Sequence, residues 1–198
     1  MPISSQHGDC KTYFAPFDPI ATLLVNLTQA EQHSIYLKDY SMSLALLTDA
    51  LDAAVKRGVH VYCLFDHTQA GGKAEKVQLD RLTAAKVPWL EGTSSIHRAI
   101  LHSKYMVFGG VTVLQGSYNF TDSAAFQANT CSVIENDFAY AAGFIADWYT
   151  SYRFIASTER GMQPDPKMLI PEPYPQTVEE AAALTLAGLA SSKGKVAA

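Results

Sequence analysis

The sequence is poor in cysteine and contains no long hydrophobic run, and each absence excludes a class of protein. Its three cysteines, Cys10, Cys63 and Cys131, are widely spaced and form neither a CxxC pair nor a zinc-type pattern with histidine. An odd number of cysteines in this arrangement argues against a disulfide framework and against a zinc site. No apolar run reaches the roughly 18 residues that are needed to span a bilayer.

An excess of basic charge is also missing, because the 198 residues carry a formal net charge of -4. Proteins that coat long stretches of nucleic acid are usually basic, so any phosphate binding is expected in one focused cleft. The first residues, MPISSQHGDCK, lack the basic segment and apolar core of a signal peptide. We therefore expect a soluble cytoplasmic protein, although a chain from which a leader had been removed would look the same.

Strand and helix patterns alternate along the first 156 residues, which predicts an α/β protein. We expect a mixed, mostly parallel sheet flanked by helices on both faces. Asp18 is the predicted N-cap of the first helix, and 66–76 is predicted to be a polar loop. The predicted strands are 11–17, 34–40, 59–65, 87–90 and 130–136, and the predicted helices are 20–32, 43–58, 76–87 and 137–156.

The composition changes at residue 161, where GMQPDPKMLIPEPYPQ holds five prolines in sixteen residues. Such a segment is typical of an extended linker or a strap on the surface. The following stretch, 177–190, predicts one helix, with Thr177 and Glu180 in a capping-box arrangement. We therefore divide the chain into one domain, residues 1–160, and a proline-rich linker with a helical tail, residues 161–198.

One stretch, LHSKYMVFGGVTVLQGSYNF, combines hydrophobic strands with polar residues that a buried hairpin does not need. Residues two apart in a strand point to the same face. His102 and Lys104 should therefore project together, and so should Ser117 and Asn119. If the glycines at 109–110 reverse the chain, the two pairs can meet at one end of the sheet.

These four side chains suit a phosphodiester. A lysine supplies a point charge for the nonbridging oxygens, and serine and asparagine supply neutral hydrogen-bond donors. A histidine can attack phosphorus or protonate the leaving oxygen. Because the sequence shows no carboxylate cluster that would hold Mg²⁺ or Zn²⁺, we expect metal-independent chemistry without a cofactor. A lone His-x-Lys is common in strands, and its pairing with Gly-Ser-x-Asn makes the pattern specific.

The same stretch resembles the signature of the phospholipase D superfamily, H-x-K-x4-D-x6-G-S-x-N. Other segments within 11–156 resemble that fold's opening strand–helix–strand, its central strand and its closing helix with a tryptophan. The chain is most similar to the short bacterial endonuclease-like members that carry a single motif. The resemblance implies a homodimer, because members with two motifs build one active site from both copies.

The resemblance also implies a role for each motif residue. His102 would attack phosphorus, and His102 of the partner subunit would protonate the leaving group. Lys104 and Asn119 would bind the phosphate oxygens, and Ser117 would contact the imidazole or the phosphate. The expected substrate is DNA or RNA. No stable membrane association is expected, because the sequence offers no long apolar loop or basic amphipathic helix.

Two positions depart from the family pattern. The aspartate of the motif falls on Gly109, where its role is expected to be structural. The carboxylate that orients the nucleophilic histidine falls on Thr130, or nearby on Asn129 or Cys131, and none of these residues is acidic. Thr130 could still accept a hydrogen bond from the ring. Two alternatives therefore stay open: a catalytically weak or inactive nucleic-acid-binding or assembly module of the same fold, and a lipid phosphodiesterase.

Three further residues are candidates for contacting the substrate. His67 follows a predicted central strand and could border a cleft at its end. His97 and Arg98 directly precede the motif and could touch a flanking phosphate. Without such a role, these side chains would simply face solvent.

Overall fold

A computed structural model describes residues 8–94 and 99–157, together with positions 179, 180, 182, 183 and 186. Those five positions are helical, in agreement with the helix predicted for 177–190. The proline-rich segment, 161–176, lies outside the described residues. No helix in the described part of the chain has the length and apolarity to cross a membrane.

The described residues form one sheet with seven strands. The strands are β1 (Asp9–Ala15), β2 (Ser34–Asp39), β3 (His60–Asp66), β4 (Trp89–Gly92), β5 (Lys104–Phe108), β6 (Thr112–Gly116) and β7 (Asn129–Glu135). Their order across the sheet is β1-β7-β6-β5-β2-β3-β4. The predicted α/β class with a mixed sheet is confirmed.

The parallel share of the sheet is smaller than predicted. The pairs β2–β3 and β3–β4 are parallel, whereas the other four neighbouring pairs are antiparallel. Parallel neighbours need a long crossover connection, usually a helix, whereas a tight turn joins antiparallel strands. Crossover helices follow β2 and β3, but the β5–β6 connection is a tight turn. The expectation of a mostly parallel sheet is therefore wrong.

The helices differ from the prediction at two places. The segment 66–76 contains a short helix and the start of another, because the Asp66 carboxylate caps the short helix through the Thr68 N–H. Asp18 does not cap the first helix, since its carboxylate accepts a hydrogen bond from the Phe14 N–H at 2.7 Å. The helices are α1 (Ile20–Ala30), α2 (Ala45–Lys56), α3 (His67–Ala70), α4 (Lys73–Ala84) and α5 (Phe138–Ser157).

Helices cover both faces of the sheet, as predicted. Because side chains alternate along each strand, a separate hydrophobic core forms on each face. Leu37 on β2 packs in a cluster with residues of α1, α2 and α4. Its neighbour Tyr36 packs in a second cluster, which α5 closes with Trp148 and Tyr152. The indole N–H of Trp148 donates to the Leu37 carbonyl at 2.9 Å, which ties α5 to the centre of the sheet.

A glycine turn joins β5 to β6. Gly109 and Gly110 have φ angles of +57° and +70°, a left-handed conformation that glycine adopts without steric cost. The predicted chain reversal is confirmed, and it places the start of β5 beside the end of β6. The strand begins at Lys104, so His102 precedes β5 and does not lie within it as expected.

Candidate active site

A polar cleft lies at the edge of the sheet where β5 begins and β6 ends. Its volume is about 380 Å³. The structure thus brings three of the four motif side chains, and the threonine at the family's carboxylate position, to one site. The lining residues are His102, Lys104, Gln115, Gly116, Ser117, Thr130 and Ser132.

Lys104 contributes an ammonium group to this cleft. The residue is only 6% exposed, and its Nζ donates to the backbone carbonyl of His102 at 2.6 Å. An ammonium has three N–H donors, and no other described residue accepts a hydrogen bond from it. The side chain of His102 is exposed. The cleft therefore combines an accessible imidazole with a cation that retains unused donors.

Tyr40 lies against both of these residues. Its ring centroid is 4.8 Å from that of His102 and 4.9 Å from the Lys104 Nζ. Tyr40 directly follows β2, whose last residue, Asp39, pairs with Lys104 in the antiparallel ladder. Sequence reasoning missed Tyr40, because no local pattern shows that β2 and β5 are neighbours.

Buried carboxylates lie near the Lys104 ammonium. Burial raises the pKa of Asp39 well above its usual value, and the nearby Glu75 raises it further, whereas Lys104 opposes the shift. Burial in turn lowers the pKa of Lys104, and the charges of Asp39 and Asp66 oppose that shift. The protein's own acids therefore favour the charged form of Lys104 before any substrate is bound.

Glu75, on α4, is an acidic residue at this site that sequence reasoning also missed. Its side chain is buried, which raises its pKa to about 7, and the charges of Asp66 and Glu91 add to the shift. Its carboxylate accepts a hydrogen bond from the Ser41 hydroxyl at 3.0 Å. Glu75 therefore holds the segment that follows Tyr40.

The Ser117 hydroxyl connects the end of β6 to β7. It donates to Asn129 Oδ1 at 3.0 Å and accepts a hydrogen bond from the Thr130 N–H at 3.0 Å. Because a hydroxyl has one proton, Ser117 cannot also donate to a phosphate in this arrangement. Its geometry fits the positioning of Thr130 better than direct phosphate binding.

Asn119 does not line the cleft. Its side-chain oxygen is buried and has no hydrogen-bond partner within 8–94 and 99–157. The His67 ring is also outside the cleft, with its Nδ1 3.1 Å from Glu91 Oε1. A substrate contact by His67 stays a prediction. His97 and Arg98 lie outside the described residues.

Comparison with known proteins identifies the family. A family model described as "Cardiolipin synthase, PLD-like domain" matches residues 23–148. The chain belongs to this phospholipase D-like family.

Relatives and solved structures agree with this assignment. A "Phospholipase D" from Rickettsia prowazekii (strain Madrid E) is 30% identical over 143 residues, which cover 72% of this chain and 67% of that protein. The phospholipase D family member Nuc from Salmonella typhimurium is 25% identical, with a TM-score of 0.70 over 74% of this chain and 95% of that one. NucT from Helicobacter pylori shares the fold, with a TM-score of 0.67, 12% identity, and coverage of 74% and 97%.

The position of the motif aspartate in this phospholipase D-like chain is Gly109, and Glu31 lies beside it. A Cβ atom on Gly109 would lie 3.1 Å from Glu31 Oε2. The Glu31 carboxylate accepts hydrogen bonds from the N–H groups of Gln32 and His33, which end α1 and lead into β2. An aspartate at 109 would therefore place a second negative charge against Glu31, in a backbone conformation that also favours glycine.

Thr130, where the resemblance predicts the family's carboxylate, is exposed at the edge of the cleft. No aspartate or glutamate is among the described residues that line the cleft. The His102 side chain makes no hydrogen bond to another described residue, so its orientation must come from a different kind of contact.

Proposed function

We propose that this phospholipase D-like chain is a metal-independent phosphodiesterase that hydrolyses DNA or RNA. The observation that carries the proposal is the cleft itself, where the exposed His102 imidazole lies beside a buried Lys104 ammonium with unused donors. The ammonium can bind a nonbridging phosphate oxygen and stabilise the charge that develops there in the transition state.

The proposed reaction has two steps. The imidazole of His102 attacks phosphorus, so that a P–N bond forms and the P–O bond to the leaving group breaks. The leaving oxygen takes a proton from the partner's His102, which acts as general acid. Water then attacks phosphorus, gives a proton to that second imidazole, and breaks the P–N bond.

The described lining of a single chain's cleft offers no second imidazole and no carboxylic acid as proton donor for the first step. Among the described residues that line it, His102 is the one histidine, and none is a carboxylic acid. The motif occurs once in the sequence, so a second copy related by a two-fold axis is the simplest source of another imidazole. This requirement supports a shared site in a homodimer.

The lining also favours nucleic acid over lipid. Apart from Gly116, every described lining residue has a polar side chain, and an acyl chain would have no apolar surface there to cover it. Curated relatives are named phospholipase D, which makes lipid the alternative substrate to test.

The test is cleavage of single- and double-stranded DNA and RNA in EDTA, in parallel with vesicles of phosphatidylcholine and cardiolipin. We expect nucleic-acid cleavage by the wild type and none by His102→Ala. His60→Ala is the matched control, because His60 is an exposed histidine outside the cleft. Equal residual cleavage by wild type and His102→Ala would refute the proposal, and so would an active protein that is monomeric at every concentration tested.

A second candidate is a phosphate-binding module without turnover, which the threonine at 130 favours. Loss of the carboxylate that orients a catalytic histidine can cost about 10⁴-fold in rate, as the serine proteases show. Rapid quenching of wild type with labelled substrate, followed by mass analysis of the His102 peptide, separates the two. A phosphorylated peptide supports the enzyme. Binding abolished by Lys104→Ala, without any phosphorylated peptide or cleavage, supports the module.

A further inference from the structure

We propose that Tyr40 is a positioning residue that does for His102 what a hydrogen-bonding carboxylate would do at position 130. It holds the imidazole in place. This inference rests on the proposed role of His102 as a nucleophile and general acid, and it assigns a residue outside the motif to the same site.

The first support is the packing of the ring. His102 precedes β5, so the ladder does not fix its backbone, and its side chain has no hydrogen bond to another described residue. The Tyr40 ring lies 4.8 Å from the imidazole, with an angle of 58° between the two planes. Tilted aromatic pairs at this distance are attractive and directional, so the contact restricts the orientation of the imidazole.

The second support is electrostatic. The face of an aromatic ring attracts cations, and the Lys104 Nζ already lies 4.9 Å from the Tyr40 centroid. The same ring therefore contacts both the ammonium and the imidazole, and its contact with Lys104 helps to fix the surface against which His102 packs.

The third support is the rigidity of the segment that carries Tyr40. The Glu75 carboxylate accepts a hydrogen bond from the Ser41 hydroxyl. The N–H groups of Ser43 and Leu44 donate to the Phe120 carbonyl. Because β2 holds one end of this segment and these bonds hold the other, the ring is in place before substrate binds.

The test compares Tyr40→Phe, which keeps the ring, with Tyr40→Leu, which keeps apolar bulk without it. We expect Tyr40→Phe to cleave within about twofold of wild type. Tyr40→Leu should lose about tenfold in kcat with little change in KM. Thermal melting of each variant controls for folding.

A second readout does not need turnover. Histidine-labelled protein is examined by NMR, with the His102 ring signals assigned by their loss in His102→Ala. We expect the aromatic ring at position 40 to shift these signals in wild type and in Tyr40→Phe, and we expect that shift to be lost in Tyr40→Leu.

The outcomes separate this inference from the proposed function. The expected NMR shift in a protein that cleaves no substrate would support the role of Tyr40 and refute the enzyme. Unchanged His102 ring signals and unchanged kcat in Tyr40→Leu would refute the role of Tyr40 in an active enzyme. A loss in Tyr40→Phe as large as that in Tyr40→Leu would also overturn it, because the hydroxyl and not the ring would then matter.

Discussion

Lys38 and Lys104 lie on neighbouring strands and are equally buried, at 5% and 6% exposure, but their surroundings differ. Lys38 pairs with Tyr105 in the ladder and Lys104 pairs with Asp39, so the two side chains point to opposite faces. The Lys38 Nζ donates to Asp147 at 2.8 Å and to Ser151 at 2.7 Å, both on α5. Among described residues, Lys104 has one acceptor, the His102 carbonyl.

The comparison distinguishes a structural lysine from one that is prepared for a ligand. Buried ammonium groups are stable when their donors are satisfied, and α5 satisfies Lys38 inside the protein. Lys104 is compensated mainly by the nearby charges of Asp39 and Asp66, which leaves its remaining donors available to a phosphate in the cleft. Burial alone would not have told the two apart.

Lys104→Met gives the sharpest test of this comparison and the largest expected effect. Removal of the cation should lower kcat/KM for nucleic-acid cleavage by about 10²–10³-fold. The free energy of unfolding should change by less than about 1 kcal/mol, because the loss of one hydrogen bond and of the attraction to Asp39 and Asp66 is offset by removal of the cost of burying the charge, which lowers the pKa of Lys104. Initial rates and urea denaturation measure the two quantities. A large loss of stability with activity retained would make Lys104 structural.

Glu75→Gln tests the acids near Lys104. The pKa of Glu75 is raised from 4.5 to about 7 in the folded state, so its protonated form stabilises the fold fully below pH 4.5. That stability is lost as pH rises towards 7. The isosteric amide cannot ionise, so between pH 4.5 and 8 the variant should gain about 3 kcal/mol of unfolding free energy relative to wild type.

Urea denaturation across that pH range measures the difference, and Asp80→Asn is the control. Asp80 lies on the same helix but is exposed, so its difference from wild type should stay nearly flat. A flat difference for Glu75→Gln as well would show that Glu75 is not held protonated by burial.

Lys38→Met should produce the opposite pattern to Lys104→Met. It removes one of the two hydrogen-bond donors to Asp147, the other being the Tyr105 hydroxyl, and it removes the partner of the buried Ser151 hydroxyl. We expect the unfolding free energy to fall by about 1–2 kcal/mol. The loss is moderate because Asp147 can still reach water, its side chain being 55% exposed. Activity should stay within about threefold of wild type. A loss of activity comparable to that of Lys104→Met would remove the distinction between the two lysines.

Lys56→Ala should have the smallest effect on stability among these substitutions. The Lys56 ammonium lies 2.7 Å from Asp52 one helical turn away, but its side chain is 72% exposed. Such pairs contribute about 0.3–0.5 kcal/mol, and salt should reduce this further. Thermal melts at low and high salt measure it. A loss of unfolding free energy as large as that of Lys38→Met would mean that burial does not determine how much an ion pair contributes to stability in this protein.

Local patterns predicted much of the fold. The glycines at 109–110 indicated a chain reversal, and the structure contains it. The amphipathic patterns behind α2 and α5 indicated helices, because side-chain spacing is a property of consecutive residues. The Asp18 cap was predicted wrongly, since a short-range rule cannot show that the Phe14 N–H competes for the same carboxylate.

The candidate site was predicted only in part, because local patterns show only which nearby residues can act together. His102, Lys104 and Ser117 come from one hairpin, so the sequence alone could place them together, and they do line the cleft. Asn119 comes from the same stretch but lies outside the lining, because the chain has left β6 by that point. The amphipathic pattern at 76–87 indicated the helix that the structure has as α4. It did not show that Glu75, in the first turn of that helix, would contact Ser41.

The sequence by itself determined the hairpin, the helices and the identity of the groups that could act on a phosphate, because these depend on residues close together in the chain. The tertiary structure decided which groups surround them. The antiparallel pairing of β2 with β5 places Asp39 beside Lys104 and brings Tyr40 against His102. That pairing joins distant segments through backbone hydrogen bonds, which carry no residue-specific signal that the sequence could show.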